Sequence, residues 1–237
     1  MINRRPHKIL IECLLITGVI ISTLSCCYAQ ENNQKVQAMT MENLIDRLLT
    51  ASNDEYLDQE MKLRQGGAEA VLQLKARLND NDVFIRTYAR TMINWIEGRS
   101  PNNDAALTYL DQLPEKIAKT PRKTPSPIGT ASYLSLHFQA SVADILAVHL
   151  IKRPNLPYWR TAAILYYLEA QKTHEINGIL LRFISDTPND DFRDFTLKII
   201  DAIKDPQLDL KILQEEKRLK SLNLSLPDSL KSRLSRF

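Results

Sequence analysis

From residue 40 onward, apolar side chains recur every three or four positions, and short polar turns separate one run from the next. Thr40 opens the first run as a cap, with Leu44, Ile45, Leu48 and Leu49 on one stripe up to residue 51. Asn53 or Asp54 caps a second helix, which Gly66 and Gly67 end. A third helix over residues 68–78 turns Val71, Leu72, Leu74 and Leu78 inward. Asn79, Asp80, Asn81 and Asp82 make a turn, and Asp82 caps a fourth helix to residue 97. Its core face is Ile85, Ala89, Met92, Ile93 and Ile96, and Gly98 stops it. A short helix covers 103–113. Helical spacing resumes over 131–152, 157–171, 175–185, 190–204 and 207–220, with Pro157 and Pro206 where a first helical turn tolerates proline. Leu226, Leu230 and Leu234 give the tail, residues 221–237, a last repeat that makes a marginal helix or frays.

Alternation of period two is scarce and the chain holds only six valines, so the pattern argues against a sheet and for an all-α fold. Two segments fall outside it. Residues 30–40 are polar and aperiodic, a flexible lead. Residues 114–130 hold Pro114, Pro121, Pro125, Pro127 and Gly129 with Lys116, Lys119, Arg122 and Lys123, and read as a long basic loop. The loop divides N-terminal helical repeats, 41–113, from C-terminal ones, 131–220.

The first 29 residues have the form of an export signal. A basic start with Arg4, Arg5 and Lys8 precedes an apolar run whose uninterrupted part begins at Cys13. That part is shorter than the roughly 20 residues a membrane-spanning helix needs and suits a secretory core. Cys27 and Ala29 place small residues where signal peptidase reads them, so cleavage is expected between Ala29 and Gln30. A second reading stays open: Leu24, Ser25, Cys26 and Cys27 resemble a bacterial lipobox, which would make Cys27 a lipidated first residue. The expected destination is the periplasm or the exterior, or the membrane surface if Cys27 carries lipid, with no transmembrane span in the mature chain. All three cysteines lie in the leader, so a chain starting at Gln30 has neither disulfide nor thiolate chemistry.

The helices repeat a local pattern. Asp82 precedes Ile85 and Arg86, and Ala89, Met92, Ile93 and Ile96 follow the arginine at three, six, seven and ten positions. Asn189, Phe192, Arg193, Thr196, Ile199, Ile200 and Ile203 reproduce it; Trp159, Arg160, Ala163, Tyr166, Tyr167 and Ala170 do so less closely. The arginines are 74 and 33 residues apart, the longer gap being two units of 37. This resembles the second helix of a HEAT repeat, and Gly67 to Leu74 resembles the first. The likeness covers residues 67–98 and, less closely, 157–204. It implies an α-solenoid of stacked helical hairpins, in which the acid caps the second helix and the arginine reaches a neighbouring turn. An irregular helical bundle is the alternative.

Candidate chemistry is sparse. His137 and His149 are twelve residues apart, 120° off a shared helix face. His174 and Glu175 begin a zinc-protease motif, but Gly178 stands where its second histidine belongs. Asp186, Asp190, Asp191 and Asp194 suit the positive end of a helix better than a calcium loop, which needs a glycine and a distal glutamate. No nucleotide or nucleophile-elbow motif occurs, and no cofactor or metal is expected. The net charge of +3 falls to +1 once Arg4, Arg5, Lys8 and Glu12 of the leader are removed, which excludes an electrostatic footprint for nucleic acid. Tyr158, off the stripe that Trp159 shares, is the candidate partner-binding aromatic. Lys119, Arg122 and Lys123 are candidate contacts to an anionic envelope surface. Together these lead to an exported, non-enzymatic scaffold that binds a protein or peptide. The alternative is an envelope enzyme with an acid site in a helical groove, acting on cell-wall glycan.

Overall fold

The computed structural model describes residues 40–50, 55–119, 124–153, 155–171 and 176–234. The leader with Cys27, Ala29 and Gln30, most of the polar lead, the caps Asn53 and Asp54, the pair His174 and Glu175, and the loop residues Arg122 and Lys123 lie outside them. Every regular element among the described residues is helical: α1 (Met41–Thr50), α2 (Glu55–Gln65), α3 (Gly67–Lys75), α4 (Val83–Ile96), α5 (Asn102–Ala118), α6 (Pro127–Phe138), a 3-10 turn (Gln139–Val142), α7 (Ala143–Lys152), α8 (Tyr158–Gln171), α9 (Asn177–Asp186), α10 (Asp190–Ile203), α11 (Leu208–Ser221) and α12 (Asp228–Leu234).

Three expectations need correction. The loop of residues 114–130 shrinks to 119–126, because α5 runs on through Pro114 to Ala118 and α6 starts at Pro127. Ile117 packs on the core, and that burial outweighs the backbone hydrogen bond lost at Pro114. The helix expected over 131–152 is two helices, broken where Gln139 takes φ 50°, ψ −139°. The Tyr167 hydroxyl donates to the Gln139 carbonyl, and Ser141 Oγ donates to that of Phe138, so one tertiary and one local bond hold the break. Leu72 is 68% exposed and Leu78 sits in the turn after α3, since the helix buries Ala70, Val71 and Leu74 and Leu72 falls on its far side. Of the two alternatives for the tail, the described residues take the short helix: Leu226 and Leu230 are buried and α12 packs on α11.

The core centres on α7, in which Ile145, Leu146, Ala147, Val148, His149 and Leu150 are all buried. It packs against α4, α8 and α9. Helix α7 also explains an oddity of composition. Residues Pro127–Lys152 are long and apolar enough to cross a membrane, yet the helix is broken at Gln139 and half of the apolar window is buried against the rest of the chain. Helices α7 and α9 pack together, and so do α8 and α10, which sets two hairpins side by side. Helix α4 meets both α7 and α9, so contacts pass beyond the next unit of a linear array.

Two of the three arginine-centred turns share one geometry. Asp82 caps α4 by accepting from the Phe84 amide at 2.7 Å, and Asn189 caps α10 by accepting from the Phe192 amide at 3.1 Å. Arg86 donates to the carbonyl of Asp80 and Arg193 to that of Thr187, each six residues back. Arg160 departs: it is buried and donates to Asp111 of α5 at 2.6 Å.

Candidate functional site

The turn before α4, the start of α9 and the outer face of α11 enclose a cleft of about 510 Å³. Close approach of α4 and α9 requires Gly178, since a Cβ there would lie 2.2 Å from Val83 Cγ1. A ladder of alternating charges crosses the cleft. Arg182 of α9 donates to the cap Asp82 at 2.9 Å and reaches Asp186 at 3.6 Å. Arg218 of α11 reaches Asp186 at 2.9 Å and Glu215 at 2.6 Å. Burial works against the charge of Arg218, but Glu215 and Asp186 outweigh it and hold the guanidinium above its ordinary range. At the far end Lys211 meets Asp205 at 2.5 Å. Burial would raise that carboxyl, but Lys211, the Gln207 amide and Asn177 together keep it below its usual value.

Behind this wall lies a buried polar interior. The Arg182 guanidinium stands 4.5 Å from the Phe84 ring and Lys152 Nζ 5.1 Å from it. Lys152 is 2% exposed, and burial, helped by Arg182 and opposed by Asp82, lowers its pKa to about 7. Burial also raises the Glu60 carboxyl above its ordinary value, against the Tyr56 hydrogen bond and Arg64. His149 is held neutral by burial and by the charges of Arg160 and Arg153. Glu60 is the desolvated acid that an enzymatic reading needs, but it lines neither the cleft nor the grooves described next.

A second feature is the outer side of α6. Leu136 is 76% exposed, Ile128 62% and Tyr133 38%. By helical spacing Leu136 forms the crest, with Ile128 and Tyr133 on its flanks. One groove, about 670 Å³, separates this ridge from α5 and holds Lys116, Tyr109, Tyr133 and His137; the other, about 530 Å³, separates it from Tyr166 and Ala170 of α8. The Tyr109 and Tyr133 rings stack at 4.0 Å, and His137 lies 4.0 Å from Tyr133.

The residues singled out in the sequence are scattered. Tyr158 is 62% exposed and stacks at 4.9 Å on Phe192, but lines neither cleft nor groove. Lys119 is exposed at the end of α5. His137 lies in the exposed ring stack and His149 in the core, so they do not meet. Among the described residues no group of three or more His, Cys, Asp or Glu is placed to hold a metal. Asp190 pairs with Arg193 and Asp186 with Arg182 and Arg218, while Asp191 and Asp194 are exposed. Sequence reasoning missed Arg182 and Arg218, which no motif marks. It also missed the ridge, whose only signal is that residues 127–138 contain no Asp, Glu, Lys or Arg. Compared with protein-family models, curated proteins and solved structures, the chain matches none of them.

Proposed function

We propose that the chain is an exported, non-enzymatic binding scaffold of HEAT-like helical repeats, and that the cleft between α4, α9 and α11 receives a segment of a protein partner. The observation that carries this is the charge ladder. Its cations and acids neutralise one another in place, which suits recognition of a polar peptide by exchange of ion pairs. The buried carboxyl that lines the cleft, Glu215, is engaged by Arg218 at 2.6 Å, whereas a catalytic acid would face the cleft unpaired. The shared turns at Arg86 and Arg193 support the repeat reading.

A photo-cross-linking residue at Gln214, which lines the cleft and is exposed, tests the proposal in the envelope fraction of the protein's own cells. One discrete protein adduct is expected, absent when the probe sits at Asp191 on α10. Equal labelling from both positions, or hydrolysis of cell-wall glycan by the purified chain, overturns it. Mass spectrometry of the mature N-terminus tests export separately. A start at Gln30 supports a free protein and diacylglyceryl on Cys27 a tethered one; an intact Met1 in the envelope fraction overturns processing.

A further inference from the structure

We propose that the α6 ridge is a membrane-docking surface, on which Ile128, Tyr133 and Leu136 enter the interface of an anionic phospholipid bilayer while Lys116 and Lys119 meet its headgroups. This goes beyond the scaffold reading and does not rest on it. Three observations carry it.

The first is charge. The exposed apolar residues of α2 and α11 sit among ions: Leu57 and Met61 beside Asp58 and Lys62, and Leu210 and Leu213 beside Asp209 and Lys211. Helix α6 has no formal charge along its twelve residues, about 18 Å at the usual rise. Such a helix can lie in the headgroup–acyl boundary without desolvating an ion, and each charge it lacks would have opposed insertion.

The second is shape. Leu136 stands on the crest of α6 and Ile128 on the flank towards α8; both line the α6–α8 groove, and their exposure puts them at its rim. A peptide partner would find its apolar anchors in a groove floor. A bilayer meets the highest point first, and here that point is Leu136. Tyr133, with its ring stacked and its edge exposed, is the amphipathic type that settles at the headgroup level.

The third is what borders the ridge. Lys116 lines the α5–α6 groove and Lys119 follows it by one turn, and neither makes an ion pair among the described residues. The acid in that groove, Asp104, is already engaged by Arg64 at 3.0 Å and by the Trp95 indole at 2.9 Å. Glu115, on the i,i+4 row of Asp111 and Lys119, leaves one acid beside the two cations. The cations beside the ridge are therefore open to headgroups, whereas Arg182, Lys211 and Arg218 in the cleft are paired.

Vesicle flotation of the full chain tests this, using phosphatidylcholine alone and with about 30% phosphatidylglycerol. The wild-type chain is expected to float with the anionic vesicles and to be released by salt. Ile128→Ser with Leu136→Ser should weaken binding at least about tenfold, since each removes most of a buried aliphatic side chain. Lys116→Gln with Lys119→Gln should weaken it roughly 25-fold, about fivefold per cation at an anionic surface. Leu57→Ser with Met61→Ser should leave it unchanged. All four ridge positions are exposed or border solvent, so circular dichroism should show an unaltered fold. The leader is common to every variant, so flotation that ignores the ridge substitutions assigns the binding to the leader and overturns the proposal. Absence of binding to anionic vesicles overturns it as well. So does a dimer by light scattering that Leu136→Ser returns to monomer, which would make a second copy the occupant. Cross-linking from Gln214 reads the cleft alone and is indifferent to these outcomes.

Discussion

At the scale of single residues, the informative position is Gly178. In the sequence it stands out only as the residue that spoils a zinc motif, and nothing local says why glycine is needed. The reason is non-local: α9 crosses α4 so closely that a methyl group at Gly178 would collide with Val83. Gly178→Ala should therefore destabilise the fold by ~1–3 kcal/mol in urea unfolding, as overpacking does. Gly98 has φ 71° and nothing within 4 Å of an added Cβ. Gly98→Ala should cost only backbone strain, about 1 kcal/mol. A neutral Gly178→Ala would mean that the two helices do not touch there. The Arg182 ladder was illegible for the same reason, because its partners are brought together by topology and not by spacing.

At the scale of the helix, legibility followed periodicity. The stripe of α4 and α10 was readable because seven-residue spacing puts Met92 or Ile199 and its successor on one face; Ile93 is 3% exposed and Ile200 fully buried, whereas Lys198 is exposed. Ile93→Ala or Ile200→Ala should cost ~2–5 kcal/mol, since each leaves a cavity as well as losing transfer energy. Lys198→Ala should cost less than ~0.5 kcal/mol. Thermal unfolding of the three variants checks the register, and a Lys198→Ala as damaging as the isoleucine changes would refute it. Where the reading failed, a tertiary contact had overruled a local signal. Pro114 signals an end, yet Ile117 is drawn on to the core; residues 138–142 signal continuation, yet the Tyr167 hydroxyl captures a carbonyl and the helix breaks. Leu72 shows the complementary limit, in that a stripe one residue too wide puts a leucine in solvent.

At the scale of the molecule, the buried polar interior couples stability to pH. Lys152 has a folded pKa of about 7 against its ordinary 10.5. Between those values the unfolded chain holds a proton that the folded chain lacks, so stability rises with pH across the window, by at most ~1.4 kcal/mol per pH unit. His149, lowered from 6.5, acts with the same sign below that pH, and stability is lost as acid is added. Glu60, raised above 4.5, acts with the opposite sign as pH climbs through its folded value. Lys152→Met removes the first contribution alone. The urea midpoint of the variant should be nearly flat relative to the wild type between pH 7 and 10.5, and higher at the acid end. Parallel curves for the two proteins would show that the amine keeps its ordinary proton affinity.

The bond from Arg182 to Asp82 joins residues 100 apart in the chain. Its consequence is kinetic. A row of hairpins that meets only its neighbours can nucleate anywhere and grow by accretion. Here the first arginine-centred turn is completed by a side chain on α9, delivered after four further helices, so a long loop must close before that contact repays its entropy. The chain should thus fold in one cooperative step, late, with few stable fragments. Such a chain stays unfolded until nearly all of it has been made, and that is the state in which a polypeptide can still be threaded through a membrane.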